Sequence, residues 1–373
     1  MKRENRIETL DLLRLLAAFS VVAYHYTFRG AAADDMTWLS LPALTPVTKY
    51  CYLGVQLFFV ISGFVIAYSA EGRTAKQFVV ARAARIYPGF IACMTLTFVA
   101  TIAIGAPRFT ATGGQWLANL LIFSPALKQP FMDGAYWSIV YEIIFYGWVL
   151  VLIATGLFAR RLPIVLAIWL ALSLVNEMFL HSVPLRRLFL TDDSGFFAAG
   201  IALYLLFTGN RTFATFLLLA VATIVGAKEA TIGAEWQRTH FGIPFSDAVI
   251  VAISFATVAL VALSLIPRRL PLPAALVFAL GGLTYPLYLL HQHLGFMIFN
   301  RLEGAAAPPA AIAAGTLLAI LALSYLIFRF VERPGQRLLK ATLPQILVWP
   351  PRLPSRSRAT PTSTTRPAGA EAP

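Results

Sequence analysis

The chain has 373 residues, of which 58% are hydrophobic and only 13% are charged. A soluble domain carries about 25% charged residues, so the composition excludes a water-soluble globule and predicts that the lipid bilayer is the main solvent. The 30 Lys and Arg residues exceed the 17 Asp and Glu residues by 13. Because these basic residues lie in short clusters between apolar segments, they indicate cytosolic loops and not a nucleic-acid partner.

A membrane-spanning helix needs about 20 apolar residues. Ten segments meet or approach this length, of which 194–208 and 212–227 are short. An eleventh, 116–124, is too short to cross and favours a re-entrant or interfacial position. The ten predicted spans, in chain order, cover residues 10–28, 52–70, 87–106, 137–158, 163–181, 194–208, 212–227, 246–266, 273–298 and 308–330.

These elements predict an all-α integral membrane protein with about ten transmembrane helices and no soluble domain. The transmembrane domain is expected over residues 1–345. The remaining residues, 346–373, are rich in Pro, Ser, Thr and Arg without an apolar period, which predicts a disordered basic cytosolic tail.

Loop charges predict the orientation. With the N-terminus in the cytosol, the basic clusters of the connecting loops also fall inside, which places both termini on the cytosolic side of the plasma (inner) membrane. Most acidic residues of the connecting loops then fall in the outer loops. They are Asp34, Asp35, Asp133, Asp192, Asp193, Glu229, Glu235 and Asp247.

Ionisable residues inside the first span need an explanation, because a charge at membrane depth is costly unless it is paired or hydrated. Asp11 and Arg14 lie three residues apart, and His25 follows Arg14 by eleven residues. At 100° per residue these three side chains share one helix face, and His25 lies towards the outer leaflet. Asp11 and Arg14 are predicted to form a structural ion pair. His25 is either a catalytic group or a polar cap at the interface.

Two further spans place ionisable groups at a similar predicted depth. Glu142 lies about one turn into the fourth span and shares a face with Ser138, and His291 lies towards the outer end of the ninth. A histidine beside a carboxylate is held in one tautomer and can take a proton from a hydroxyl group. We therefore predict that Glu142 orients His25, although Glu142 could also be a water-exposed carboxylate and His291 a packing residue.

A pair of arginines lies at the predicted cytosolic end of the third span. Arg82 and Arg85 are three residues apart, so their guanidinium groups can converge, and arginine binds phosphate through a planar fork of donors. This spacing favours a site for a phosphate-bearing cofactor, with ordinary membrane anchoring as the alternative. Cys51 and Cys93 have no metal-ligand spacing, and no metal site is predicted.

Six motifs in order resemble acyltransferase family 3, whose membrane proteins O-acylate polysaccharides, lipopolysaccharide and other cell-surface glycans. The similarity extends from about residue 5 to residue 335. The motifs are LDLLR at 10–14 with His25, GVQLFFVISGF at 54–64, RAARIYP at 82–88, YWS at 136–138 with Glu142, TYP at 284–286 with His291, and VERP at 331–334.

This resemblance implies an acyl-CoA donor, usually acetyl-CoA, with Arg82 and Arg85 near the CoA. It implies His25 as the catalytic residue, assisted by Glu142. The acceptor is expected to be a glycan or a glycosylated molecule, and a separate partner from a polysaccharide pathway is an open alternative to independent action. A supporting polar network is expected from Asp11, Arg14, Ser138, Tyr285 and His291.

The sequence thus predicts a membrane O-acyltransferase in contact with lipid. Ser62, Ser138 and Tyr285 are candidate donors to the oxyanion, and the choice between direct transfer and an acyl-histidine intermediate stays open. The alternative is a transporter or flippase of a glycan or a lipid-linked sugar, which would also require polar groups between helices. The absence of an obvious inverted repeat or Gly/Pro-broken helix pair disfavours that alternative.

Overall fold

The computed structural model describes residues 7–267 and 271–347, and its regular elements there are all helical. Residues 348–373 of the predicted tail and the N-terminal basic residues Lys2, Arg3 and Arg6 lie outside the described residues, whereas Ile346 ends a helix. The α-helices of seven or more residues are α1 Glu8–Tyr24, α2 Gly54–Ala70, α3 Ala75–Ile104, α4 Gly113–Asn119, α5 Trp137–Ala154, α6 Leu157–Val175, α7 Val183–Phe189, α8 Ser194–Phe207, α9 Phe213–Phe241, α10 Asp247–Ser264, α11 Ala274–Arg301, α12 Pro309–Ile327 and α13 Arg333–Ile346. Three π-helical segments extend this set, at His25–Ala33, Asn176–Leu180 and Phe328–Glu332.

Within these residues, nine helical segments are long and apolar enough to cross a membrane, which confirms the all-α, multi-pass fold. They correspond to the second to tenth predicted spans. The first predicted span is not among the nine, because Asp11, Arg14 and His25 lower the hydropathy of α1. It nevertheless packs inside the bundle against α2 and α11.

Glycines let three helices approach closely. A Cβ atom on Gly200 of α8 would lie 2.1 Å from the Val60 carbonyl oxygen of α2, and one on Gly195 would lie 2.2 Å from the Gly226 nitrogen of α9. Such contacts are available only to residues without a side chain, and they are a common basis of helix packing in membranes. They hold α8 between α2 and α9, so that the start of α8 faces the same interior space as α1.

The C-terminal segments pack against the N-terminal half of α3 and against α11. The π-helical segment Phe328–Glu332 carries the ring of Phe328 to the backbone of Gly282 in α11, where an added Cβ would lie 2.1 Å from the ring. Helix α13 then packs against α3, with Gly335 beside Pro88. This arrangement places basic residues of α13 next to those at the start of α3.

Candidate active site

Three adjoining cavities follow one another along α1, α2 and α11. The basic cavity has a volume of about 860 Å³, the middle cavity about 250 Å³, and the histidine cavity, which contains His25, about 430 Å³. The basic and middle cavities share Arg14, Val65, Arg82 and Arg85 as lining residues. The middle and histidine cavities share Val55 and Tyr288. The row therefore passes through the bundle. Arg14 and His25 are eleven residues apart on α1, or about 16 Å along its axis.

The basic cavity carries more positive than negative side chains. Its acidic lining residues are Asp11, Glu71 and Glu332, and its basic lining residues are Arg14, Arg73, Arg82, Arg85, Arg333, Arg337 and Lys340. The predicted ion pair is present, with Arg14 Nη1 3.2 Å from Asp11 Oδ1. The contributions of Arg73 and of α13 were missed, because those residues were interpreted only as cytosolic anchors. The excess of cations makes this cavity suitable for an anionic ligand.

The predicted arginine pair lies where the basic and middle cavities meet. Arg85 forms an ion pair with Glu332, which is fully buried in the last motif. The guanidinium carbon of Arg85 also lies 5.0 Å from the ring centre of Tyr285. Arg82 packs over the ring of Tyr146, and its buried Nε has no hydrogen-bond partner. Both arginines thus border one space, and Arg82 retains an unused donor.

The middle cavity contains Glu142 and several hydroxyl groups. The Glu142 carboxylate accepts a hydrogen bond from Tyr146 Oη and a longer one, 3.5 Å, from Ser62 Oγ. Ser138 Oγ and Tyr288 Oη are hydrogen-bonded to each other at 2.7 Å, at the junction with the histidine cavity. Each hydroxyl oxygen also lies 3.2 Å from the Ala135 carbonyl oxygen, so one member of the pair donates to the other and the other member donates to Ala135.

The remaining candidate donor, Tyr285, is engaged elsewhere. Its hydroxyl group donates to the Ile86 carbonyl oxygen at 3.2 Å. Tyr285 lines the middle cavity, and its ring supports Arg85. It therefore supports the arginine pair, and its hydroxyl proton is already used.

His25 and His291 form a hydrogen-bonded pair. His25 Nδ1 lies 2.8 Å from the Val21 carbonyl oxygen and 3.0 Å from His291 Nε2, and His291 Nδ1 lies 2.8 Å from the Tyr288 carbonyl oxygen. A carbonyl oxygen can only accept, so each Nδ1 carries the hydrogen in the neutral rings. His291 Nε2 then shares the single Nδ1 hydrogen of His25 with the Val21 carbonyl oxygen, and His25 Nε2 keeps a lone pair. His25 lines the histidine cavity, where that nitrogen can act as a base.

The predicted direct contact between Glu142 and His25 is wrong. His25 bonds to Val21 and His291, whereas Glu142 bonds to Tyr146 and Ser62 and lines the neighbouring cavity. The segment before α5 explains the difference. Asp133 is fully buried and Trp137 lines the histidine cavity, so the start of α5 is level with His25 and Glu142 lies more than one helical turn farther along.

Acidic residues also line the histidine cavity. Asp192, Asp193 and Glu229 were assigned to outer loops, but Asp193 and Glu229 are buried and all three face this space. Glu229 lies within α9, where it accepts from Ser194 Oγ at 2.6 Å and from the Gly195 N–H at 2.9 Å. A carboxylate is favoured at that position because it caps the N-terminus of α8. The loop assignment of Glu229 is wrong because α9 extends well beyond the predicted span, whereas Asp192 and Asp193 lie in the turn before α8.

Comparison with known proteins places this architecture in a family. Residues 7–329 match the family model described as an acyltransferase domain. An O-acetyl transferase of Shigella phage Sf6 is 24% identical over 87% of this chain and 94% of its own length. The exopolysaccharide production protein ExoZ of Rhizobium meliloti is 27% identical over 75% of this chain and 88% of its own.

The acyltransferase MdmB of Streptomyces mycarofaciens is 29% identical, but the match spans only 38% of each chain. No solved structure matches this chain. The family match covers nearly the whole described sequence, and it confirms the resemblance that the motifs indicated. The protein therefore belongs to acyltransferase family 3 as a membrane-spanning member.

Proposed function

We propose that the protein transfers an acetyl group from acetyl-CoA to a hydroxyl group of a cell-surface or exported glycan. Two long matches support the reaction and the acceptor class, because one is named as an O-acetyl transferase and the other as an exopolysaccharide production protein. The basic cavity supports the donor, since it offers several cations to a ligand that carries phosphate groups. The positive-inside pattern supports a position of that cavity at the cytosolic face of the inner membrane.

The donor is expected to enter from the basic cavity. Arg82 and Arg85 would hold its phosphate groups, with further cations from Arg337 and Lys340 of α13. The acyl-bearing arm would then pass through the middle cavity, which brings the thioester towards Tyr288. Arg14 and His25 lie about 16 Å apart along the helix axis, and the arm must cover this distance.

Transfer would take place at the boundary with the histidine cavity. His25 Nε2 accepts the proton of the acceptor hydroxyl group as its oxygen attacks the thioester carbonyl carbon. The new C–O bond forms, the C–S bond breaks, and the CoA thiolate takes the proton from the His25 imidazolium. Ser138 and Tyr288 lie beside this point, so a hydroxyl group of that pair is our choice to donate to the oxyanion, in exchange for its bond to the Ala135 carbonyl oxygen.

His291 and Glu142 would have different supporting roles. His291 Nε2 accepts from His25 Nδ1 and holds the ring, so it is a positioning residue. Glu142 lines the middle cavity together with Arg14, Arg82 and Arg85, where its charge offsets the positive potential along the path of the neutral acyl arm. Because Glu142 does not contact His25, its effect on the reaction would come through the donor.

The observation that carries this proposal is the 2.8 Å contact of His25 Nδ1 with the Val21 carbonyl oxygen, which leaves Nε2 of the neutral ring unprotonated in a residue that lines the histidine cavity. The test is transfer of radiolabelled acetyl from acetyl-CoA to glycan acceptors by purified protein. His25→Ala should lower turnover about 10²- to 10⁴-fold, the usual contribution of a general base. His181→Ala is the matched control, because His181 is exposed.

Turnover of His25→Ala close to that of the wild type would contradict the assignment. Glycan movement across vesicles without acetyl transfer would favour the transporter alternative. A variant with both Arg82→Ala and Arg85→Ala should bind CoA more weakly, and unchanged CoA affinity would leave these arginines only an anchoring role.

A further inference from the structure

The histidine cavity contains hydrogen-bond acceptors that no described group satisfies. Gln56 is 9% exposed and lines the cavity, and its Oε1 has no hydrogen-bond partner. Asp192 accepts from Tyr141 Oη through Oδ2 at 2.7 Å, but its buried Oδ1 has no partner either. An unpaired buried acceptor is costly, so this cavity is suited to a ligand rich in hydrogen-bond donors.

Further carboxylates increase this acceptor character. Asp193 accepts from Gln56 Nε2 at 3.3 Å, and Glu229 lines the same cavity. The cation that lines the cavity, Arg29, is engaged in an ion pair with Asp34. The described side chains around the cavity therefore disfavour an anionic ligand, because they offer it unsatisfied hydrogen-bond acceptors and no unpaired cation.

The shape and the aromatic residues of the cavity fit a sugar ring. Its volume of about 430 Å³ lies within the range of small-molecule sites, about 300–1,000 Å³. Trp137 and Trp236 line it and offer apolar surface beside the acceptors. His25 lines the same cavity, so a hydroxyl group of a bound sugar can reach the base.

We propose that the histidine cavity is the acceptor subsite and that it takes a neutral sugar residue in preference to a uronic acid or another anionic sugar. Hydroxyl groups of the sugar donate to Asp192, Asp193 and Gln56, while one hydroxyl group faces His25. This inference rests on the proposed function, because it identifies the acceptor of the same reaction. It assigns specificity to two residues outside the family motifs, Asp192 and Asp193.

The test uses a matched pair of acceptors, 4-nitrophenyl β-D-glucoside and 4-nitrophenyl β-D-glucuronide, which differ only at C6. The wild-type protein should favour the glucoside at least about 100-fold in kcat/KM for acetyl transfer. A variant with Asp192→Asn and Asp193→Asn should lower this ratio at least about tenfold, with the KM for acetyl-CoA unchanged. These substitutions preserve size, and Asp193 makes no side-chain capping bond to α8.

Asp247→Asn is the control, because Asp247 is exposed and paired with Arg238. It should keep the wild-type ratio. Equal use of the two glycosides by the wild type, or a wild-type ratio in the double variant, would overturn the inference.

Calorimetric binding of both glycosides to His25→Ala protein separates this inference from the proposed function and does not depend on the double variant. Preferential binding of the glucoside supports the subsite even if the wild type transfers acetyl to neither compound. Absence of acetyl transfer would count only against the proposed function. Binding of the glucuronide as tight as that of the glucoside would overturn the subsite while leaving acetyl transfer intact.

Discussion

Replacement of His291 by leucine tests how His25 is oriented. His291 is completely buried, and its Nε2 lies 3.0 Å from His25 Nδ1. Leucine fills a similar space without polar atoms, so the variant removes this hydrogen bond to His25 together with the bond from His291 Nδ1 to the Tyr288 carbonyl oxygen, and only the first of them holds the His25 ring. His25 Nδ1 keeps the Val21 carbonyl oxygen at 2.8 Å and therefore keeps its tautomer.

The expected magnitude follows from that geometry. A net hydrogen bond contributes about 0.5–1.5 kcal/mol, and 1.36 kcal/mol corresponds to a tenfold change in rate. His291→Leu should therefore lower kcat about 2- to 13-fold, much less than the about 10²- to 10⁴-fold expected for His25→Ala. The KM for acetyl-CoA should change little, because His291 lines neither the basic nor the middle cavity.

His291→Gln provides the matched control, because the glutamine amide can place an oxygen near the position of Nε2 and should recover much of the lost rate. Single-turnover transfer of radiolabelled acetyl measures both variants, with circular dichroism to confirm folding. A loss in His291→Leu as large as that in His25→Ala would refute this reasoning, since it would make His291 a second essential base. Wild-type turnover in His291→Leu would refute the positioning role.

Three further variants test other parts of the structure. Glu332→Gln removes the charge that pairs with Arg85, so thermal unfolding in detergent should show a loss of about 1.5–3 kcal/mol; an unchanged midpoint would contradict the pairing. Gly200→Val forces a side chain against the Val60 carbonyl oxygen, so the variant should lose folded yield, and normal yield would argue against the close packing of α8 on α2. Glu142→Gln should change the KM for acetyl-CoA or kcat but not the KM of the acceptor, and an effect confined to the acceptor would contradict its place in the middle cavity.

Helix periodicity and composition predicted a large part of this molecule. The apolar segments gave nine of the spans, and helix geometry placed His25 and His291 at a matching depth, which their contact bears out. The spacing of Arg82 and Arg85 likewise predicted a shared position, and both residues line the same two cavities. These results follow because such features depend on local geometry along single helices.

Features that depend on how loops fold back could not be predicted. The depth of Glu142 is set by the buried turn at Asp133, whose carboxylate accepts from the backbone N–H groups of Ala135 and His293. The position of Glu229 is set by the N-terminus of α8. Asp133 and Glu229 each accept from a backbone N–H group of another helix, His293 in α11 and Gly195 in α8. Neither hydropathy nor charge counting detects such partners.

The contribution of α13 was missed for a related reason. Arg337 and Lys340 follow the last predicted span, where basic residues are expected as anchors. The contact between Gly335 and Pro88 turns the helix across the start of α3, so these cations line the basic cavity. A function in donor binding is thus compatible with the positive-inside pattern and cannot be separated from it by sequence alone.

The most direct test of a donor path that crosses the bundle is acetyl transfer in sealed, oriented proteoliposomes. Radiolabelled acetyl-CoA is supplied on the side of the basic cavity, and the glycan acceptor is placed either on the same side or on the opposite side. We predict acetylated glycan only when donor and acceptor are on opposite sides, with the product lost in His25→Ala. Product formed only with both substrates on the same side would contradict the account.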